Sequence, residues 1–204
     1  MRKIIATTFL SLDGIMQAPG GPQEDTDGGF KYGGWTFHYW DEVMGEVMSK
    51  GMSTPFDLLL GRRTYDIFAD HWPRAEKGDP IADKFNAATK YVATSSPNTV
   101  NWENTVTLGA DVPGAVRKLS QSDGPDLLIQ GSSQLIHVLL ANNLIDELNL
   151  WVFPLVLGKG KAFFSGDAKP GALTLVNSRA STTGVVMNTY HKAGEIKTGS
   201  FALE

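Results

Sequence analysis

Apolar residues along this chain come in short blocks separated by polar turns, and the spacing within the blocks changes along the sequence. Residues 3 to 12, Lys-Ile-Ile-Ala-Thr-Thr-Phe-Leu-Ser-Leu, are β-branched and apolar and stop at Asp13-Gly14, the pattern of a strand buried on both faces. Residues 17 to 34 hold six glycines and two prolines; a loop of this length in a compact domain is a lid, a binding loop or a mobile segment. From Phe37 to Met52 the apolar positions Trp40, Val43, Met44, Val47 and Met48 follow a helical period, with Asp41 and Glu42 early, where they suit the helix dipole. A short strand at Asp57 to Leu60 then breaks at Gly61 into a helix from Arg62 to Phe68. Further strands are predicted at 90–94, 106–108 and 126–129, with a helix from Asp111 to Ser120 and another from Gln134 to Ala141. Asp111 is placed as N-cap of the former and Pro113 falls in its first turn.

Strand and helix in alternation argue for an α/β fold with a mostly parallel central sheet flanked by helices. After Asp146 the pattern becomes one of strands and turns: residues 147–153 alternate, Gly158-Lys159-Gly160 reads as a hairpin turn, and 172–178 and 183–191 read as two strands joined near Ser181 to Gly184. These C-terminal strands are expected to add to the same sheet in antiparallel fashion. No repeat, low-complexity tract or linker divides residues 1–204, so a single domain is expected.

Composition removes whole classes of chemistry. The 204 residues include no cysteine, which excludes disulfides, cysteine-bound zinc, iron–sulfur clusters and thiol nucleophiles. A net charge of −4 supplies no field for nucleic acid, and no apolar run approaches the roughly 18 to 20 residues that span a bilayer. The opening residues carry no export signal, so the cytoplasm is the expected compartment. Nucleic acid and membrane are thus not expected partners; a small molecule is. Glycine is in excess, at 22 residues.

Three of the predicted parallel strands end alike, in small or polar residues that lead into a helix or loop: Gly61-Arg62-Arg63-Thr64, Thr94-Ser95-Ser96 and Gln130-Gly131-Ser132-Ser133-Gln134-Leu135. The carboxyl ends of strands form the ligand edge of an open α/β sheet, and helix N-termini there favour phosphate. Any one of these junctions alone is an ordinary turn. Together they offer close backbone approach, hydroxyl donors and two guanidinium groups to a nucleotide.

Gly61-Arg62-Arg63-Thr64-Tyr65 resembles the Gly-Arg-x-Thr-aromatic junction of dihydrofolate reductases, and Thr94-Ser95-Ser96 their second phosphate-contacting junction. Ser11-Leu12-Asp13-Gly14, Gln130 through Leu135, Asp146-Glu147-Leu148 and the stretch from Pro154 through Gly158-Lys159-Gly160 to Phe163-Phe164 resemble more closely the RibD C-terminal reductase domain of bifunctional riboflavin biosynthesis proteins. The resemblance implies a dihydrofolate reductase-like fold, NADPH as cofactor, hydride transfer to a small heterocyclic or carbonyl substrate, and a homodimer. It places Arg62 to Thr64 at the phosphates, Arg62 or Arg63 with Ser95 and Ser96 at the 2′-phosphate, and Gly131 through Leu135 at the pyrophosphate. Where the family has two glycines at the third junction this chain has Gly131-Ser132, and Gln130 stands where the family has an acidic residue or glycine. These departures keep open a noncatalytic NADP-binding or sensing domain.

Reduction of a C=N or C=O bond calls for a proton donor. By resemblance to the carboxylate on the first helix of dihydrofolate reductases, Asp41 or Glu42 is one candidate; Asp13, in the riboflavin-like motif, is another. Both have plainer roles, at a helix N-terminus and in a turn. The aromatic cluster Trp35, Phe37, Tyr39 and Trp40 suits either stacking on a flat heterocycle or core packing. Other constellations fail. Asp25-Thr26-Asp27-Gly28 lacks the remaining ligands of a calcium loop, Gly158-Lys159-Gly160 does not complete a dinucleotide fingerprint, and His38, His71, His137 and His191 lack metal-ligand spacing. With no nucleophile elbow or metal cluster in view, a phosphate-binding hydrolase is the weaker alternative.

Overall fold

The computed structural model describes residues 1–76, 78–164 and 169–202. Eight strands form one sheet: β1 (Ile4–Ser11), β2 (Phe56–Gly61), β3 (Lys90–Ala93), β4 (Thr105–Thr107), β5 (Asp126–Gln130), β6 (Glu147–Phe153), β7 (Ala172–Ala180) and β8 (Val186–Gly194). Their order across the sheet is β4-β3-β2-β5-β1-β6-β8-β7. The five pairings from β4 to β6 are parallel; β8 runs antiparallel to both β6 and β7. This is the mixed sheet the pattern predicts, with one correction. β6 belongs to the parallel set, in register with β1 from Ile5↔Glu147 to Ser11↔Phe153, so the antiparallel addition begins only at the β7–β8 hairpin. Alternation along β6 reports which residues are buried and carries no information about strand direction.

Helices α1 (Glu42–Gly51), α2 (Arg62–His71) and α3 (Pro80–Ala87) cover one face, and α4 (Val112–Gln121) and α5 (Ser133–Ala141) the other. The consecutive leucines of β2 illustrate the two-sided burial. Leu59 joins the α4–α5 core while Leu58 and Leu60 pack with α2 and α3, and all three are fully buried. Each side chain so buried contributes about 1.5–3 kcal/mol relative to exposure. The third helix, α3, is not expected from the apolar pattern; its start is set by Asp79, whose carboxylate accepts from the N–H groups of Ile81 and Ala82, and by Pro80 in the first turn. At the far edge, β7 is exposed along nearly its whole length.

Between β6 and β7 the chain does not make the expected hairpin. It runs back beside the exit of β1, where Ile15 bridges Ala162. A Cβ at Gly160 would meet Ile15 Cγ2 at 2.6 Å, so only glycine lets the two segments lie flush. That contact sets Lys161 beside the glycine-rich loop.

Candidate active site

The chain passes from β1 over to β2, builds outward to β4, and returns to place β5 between β2 and β1 before continuing to β6 on the other side. Such a reversal opens a crevice at the carboxyl ends of the central strands. There the three junctions meet. The residues Gly61 to Thr64, Thr94 to Ser96 and Gln130 to Leu135 all line one cavity of about 1190 Å³, larger than the usual pocket for a single small ligand.

Two helix N-termini face this cavity, and their chemistry differs from that of the others. α1, α3 and α4 are each capped by an aspartate side chain, from Asp41, Asp79 and Asp111. α2 and α5 have no side-chain cap and no acidic residue in the first turn. Their leading N–H groups and positive dipole ends are therefore left to whatever occupies the cavity.

The junction after β5 reaches its helix through Gly131 (φ 64°) and Ser132 (φ 54°, ψ 51°), both left-handed. In place of a second glycine, Ser132 accepts the N–H of Gly61 at 3.1 Å and donates to Thr64 Oγ1 at 2.8 Å. The hydroxyl thus stitches the β5 junction to the β2 junction. The serine that stands where the resemblance implies a second glycine is a cross-link between the two junctions.

The adjacent arginines of α2 part company. The Arg62 guanidinium turns toward the β3 junction: Nε donates to both oxygens of Asp66 at 2.8 and 2.9 Å, and Nη1 to Thr99 Oγ1, Ser96 O and Thr94 Oγ1 at 2.5, 3.3 and 3.4 Å. Arg63 turns to the glycine-rich loop and pairs with Asp25 at 2.7 Å and Asp27 at 2.5 Å. Lys161 grips the same two carboxylates at 2.7 Å each. Hydrogen bonds from Arg63 first, then from Lys161, hold the Asp27 carboxyl down at about 2. Gln17 completes the clasp by donating to Asp25 and Asp27 O and accepting from the Lys161 N–H at 3.0 Å. The acidic pair that hints at calcium in the sequence is an ion-pair latch, and among the described residues no group of acidic and histidine side chains could hold a metal.

The part of the cavity beneath α1 to α3 is apolar, with Met48, Met52, Phe68, Trp72 and Phe85 in its wall. Trp72 Nε1 is buried there without a hydrogen-bond partner. The aromatic cluster divides between its two readings. Trp40 lines the cavity and stacks on Trp151, Trp35 and Tyr39 pack edge-on to Phe153, and Phe37 is exposed.

The two expected acids lie elsewhere than the junctions. Neither Asp13 nor Asp41 lines the cavity. Asp41 caps α1 through the Met44 N–H at 2.9 Å and binds the N–H and hydroxyl of Thr182 at 2.7 Å; the Met44 bond leads in holding its carboxyl below the usual range. Asp13 accepts from Ser11 Oγ at 2.5 Å and from the N–H groups of Leu157 and Gly158, and the Ser11 bond leads in lowering its carboxyl likewise. Groups so held are poor proton donors. Glu42, the alternative to Asp41, is also absent from the lining.

The lining carboxylates are instead Glu24, Asp25 and Asp66. Asp25 is paired with Arg63 and Lys161, and Asp66 with Arg62. Among the described residues Glu24 has no ion-pair partner: its Oε2 accepts from the N–H groups of Gly20 and Gly21 at 2.6 and 3.1 Å, and burial pushes its carboxyl up. No motif in the sequence points to it. The available signal is a carboxylate inside a glycine- and proline-rich loop that follows the central strand.

A sheet of this order, with a cavity lined by the junctions at its reversal, defines a dihydrofolate reductase-like α/β protein. The model of the RibD C-terminal domain family matches residues 2–187, and the chain belongs to that family. It is 26% identical over 202 residues to YyaP of Bacillus subtilis (strain 168), covering 95% of this chain and 96% of that protein. YwjB of the same organism is 27% identical over 166 residues, 80% and 83% of the two chains; both relatives are uncharacterised. A crystal structure from Shewanella sp. PV-4, provisionally named a riboflavin biosynthesis protein, superposes with a TM-score of 0.58 at 18% identity, covering 94% of this chain and 99% of that one. That likeness supports the fold. No helix among the described residues is long and apolar enough to cross a membrane.

Proposed function

We propose that this protein is an NADPH-dependent reductase acting on a small heterocyclic or carbonyl compound. The observation that carries the reading is the pair of uncapped helix N-termini, α2 and α5, joined through Ser132 and lining one cavity, while the other α-helices are closed by aspartates. The donor set fits a phosphorylated dinucleotide. Backbone N–H groups of the β2 and β5 junctions would hold the pyrophosphate, and Arg62 with Thr94, Ser95 and Ser96 would hold the 2′-phosphate. NADPH, when bound, supplies hydride. The protein's own groups bind and orient: Gly131 permits close backbone approach, Ser132 fixes the two junctions against each other, and the latched loop of residues 17 to 34 limits water at the cavity mouth. The apolar wall around Met48, Phe68 and Trp72 would receive a flat or uncharged acceptor. A homodimer is part of the same proposal, and light scattering tests it.

Titration of NADPH, followed by its fluorescence, tests the cofactor assignment; no binding at tens of micromolar refutes it. One observation favours a second reading, that of a binding domain without turnover: Asp13 and Asp41 lie outside the cavity. NADPH binding with no oxidation across pterins, pyrimidines and carbonyl compounds would select it.

A further inference from the structure

We propose that Glu24 is the proton donor of the reaction, a role that rests on the reductase reading above. The argument is first one of position. The loop bearing Glu24 follows β1, and Glu24 lines the same cavity as Gly61 to Thr64, Thr94 to Ser96 and Gln130 to Leu135, the residues that would hold the cofactor. Second, Glu24 differs from every other carboxylate in the wall. Asp25 and Asp66 are neutralised by Arg63, Lys161 and Arg62, whereas among the described residues Glu24 is held by two backbone N–H groups alone, both on Oε2. Its Oε1 makes no hydrogen bond with any described residue and is free to act on a ligand. A donor must carry its proton at the working pH, and the surroundings favour this. Burial is the leading influence and raises the carboxyl; the two backbone bonds oppose it, Asp25 adds to the rise, and Arg63, directed to Asp25 and Asp27, opposes it weakly.

The step balances. The carbon of a C=N or C=O acceptor takes hydride from NADPH, and the displaced π pair on nitrogen or oxygen takes the proton from Glu24. NADPH is oxidised to NADP⁺, the acceptor becomes amine or alcohol, and the carboxylate left behind recovers a proton from solvent.

The test combines a titration with turnover. In protein labelled with ¹³C at glutamate carboxyls, the Glu24 resonance, assigned by its loss in Glu24→Gln, should titrate above the ordinary glutamate range; titration within that range overturns the proposal. NADPH oxidation is then followed with cyclohexanone, a neutral carbonyl compound, and 7,8-dihydrobiopterin. Glu24→Gln retains an oxygen to accept from Gly20 and Gly21. It should bind NADPH within about threefold of wild type yet turn over about 100-fold more slowly, the lower range for a lost general acid. The fall in wild-type rate as pH rises through the Glu24 titration should vanish in the variant, and Glu24→Asp should recover part of the rate. Unchanged turnover in Glu24→Gln, or an unchanged pH profile, refutes the role while leaving the reductase reading intact. A wild-type protein that binds no NADPH, or oxidises none with either probe, refutes the reductase reading itself, and the donor role with it.

Discussion

If Arg62 recognises the 2′-phosphate, replacing it should alter the preference between NADPH and NADH rather than affinity for both. Its guanidinium is oriented before any ligand arrives, with Nε on Asp66 and Nη1 on Thr99, Ser96 and Thr94, while Nη2 has no partner among the described residues. A charge-assisted hydrogen bond of the kind Nη2 would donate contributes about 1.5–3 kcal/mol. Because the side chain is 33% exposed, solvent screening favours the lower end. Arg62→Ala should therefore weaken NADPH binding by about 10- to 30-fold and NADH binding, which involves no 2′-phosphate, by less than about threefold. Arg62→Lys should recover only part of the preference, since an ammonium cannot keep the Asp66 fork and reach outward together. Fluorescence titration of both cofactors at low and moderate salt measures this, with the NADPH preference shrinking as salt rises. Equal losses for NADPH and NADH would refute the assignment of Arg62 to the 2′-phosphate, and no loss for either would remove it from the site.

Other expectations concern stability. Lys90 is fully buried, donates to Asn86 O at 2.6 Å and lies over the Trp102 ring at 4.2 Å; burial lowers its ammonium to about 8. Between that value and the ordinary lysine range the unfolded chain binds a proton that the folded protein has shed. Stability contributed by this group should thus rise with pH across that window, by at most about 3 kcal/mol. Urea denaturation from pH 7 to 10 should show the rise in wild type and its absence in Lys90→Met; parallel curves would refute it. Asp41→Ala should lower the melting temperature, since α1 loses its cap and its tie to Thr182, yet leave NADPH turnover within about twofold; a collapse of turnover in folded protein would return Asp41 to the chemistry. Ser132→Ala should cost about 1–2 kcal/mol through its two lost hydrogen bonds, and Ser132→Gly less, because glycine relieves the left-handed backbone. Chemical denaturation of both variants would expose a reversed order.

The binding half of the site was legible because its chemistry is local. Gly61-Arg62-Arg63-Thr64 and Gln130 through Leu135 each carry a strand end, a turn and a helix start in a few consecutive residues, and parallel topology brings such junctions to one edge. The Asp111 cap was legible for the same reason. The proposed donor, Glu24, could not be found this way. The local partners of Asp41 and Asp13, the Met44 N–H and Ser11 Oγ, fit the plainer roles read from the sequence, whereas Thr182, Leu157 and Gly158 are distant partners that no spacing rule supplies. Glu24 stands out only once its neighbours' ion pairs are known. The direction of β6 escaped for a related reason: burial alternates identically in parallel and antiparallel strands, and only pairing with β1 distinguishes them. α3 was signalled by Asp79-Pro80, a cap ahead of a helix whose apolar face is short.

Arg62 and Arg63 are consecutive, yet one side chain goes to the β3 junction and the other to the loop. Consecutive positions on a helix diverge by about 100°, and under the proposed function that angle would separate coenzyme preference from the loop's ion pairs. Each property can then drift by one codon without disturbing the other. A lineage could exchange NADPH for NADH at position 62 with its loop still latched, or loosen the loop at position 63 to admit bulkier acceptors with its coenzyme unchanged.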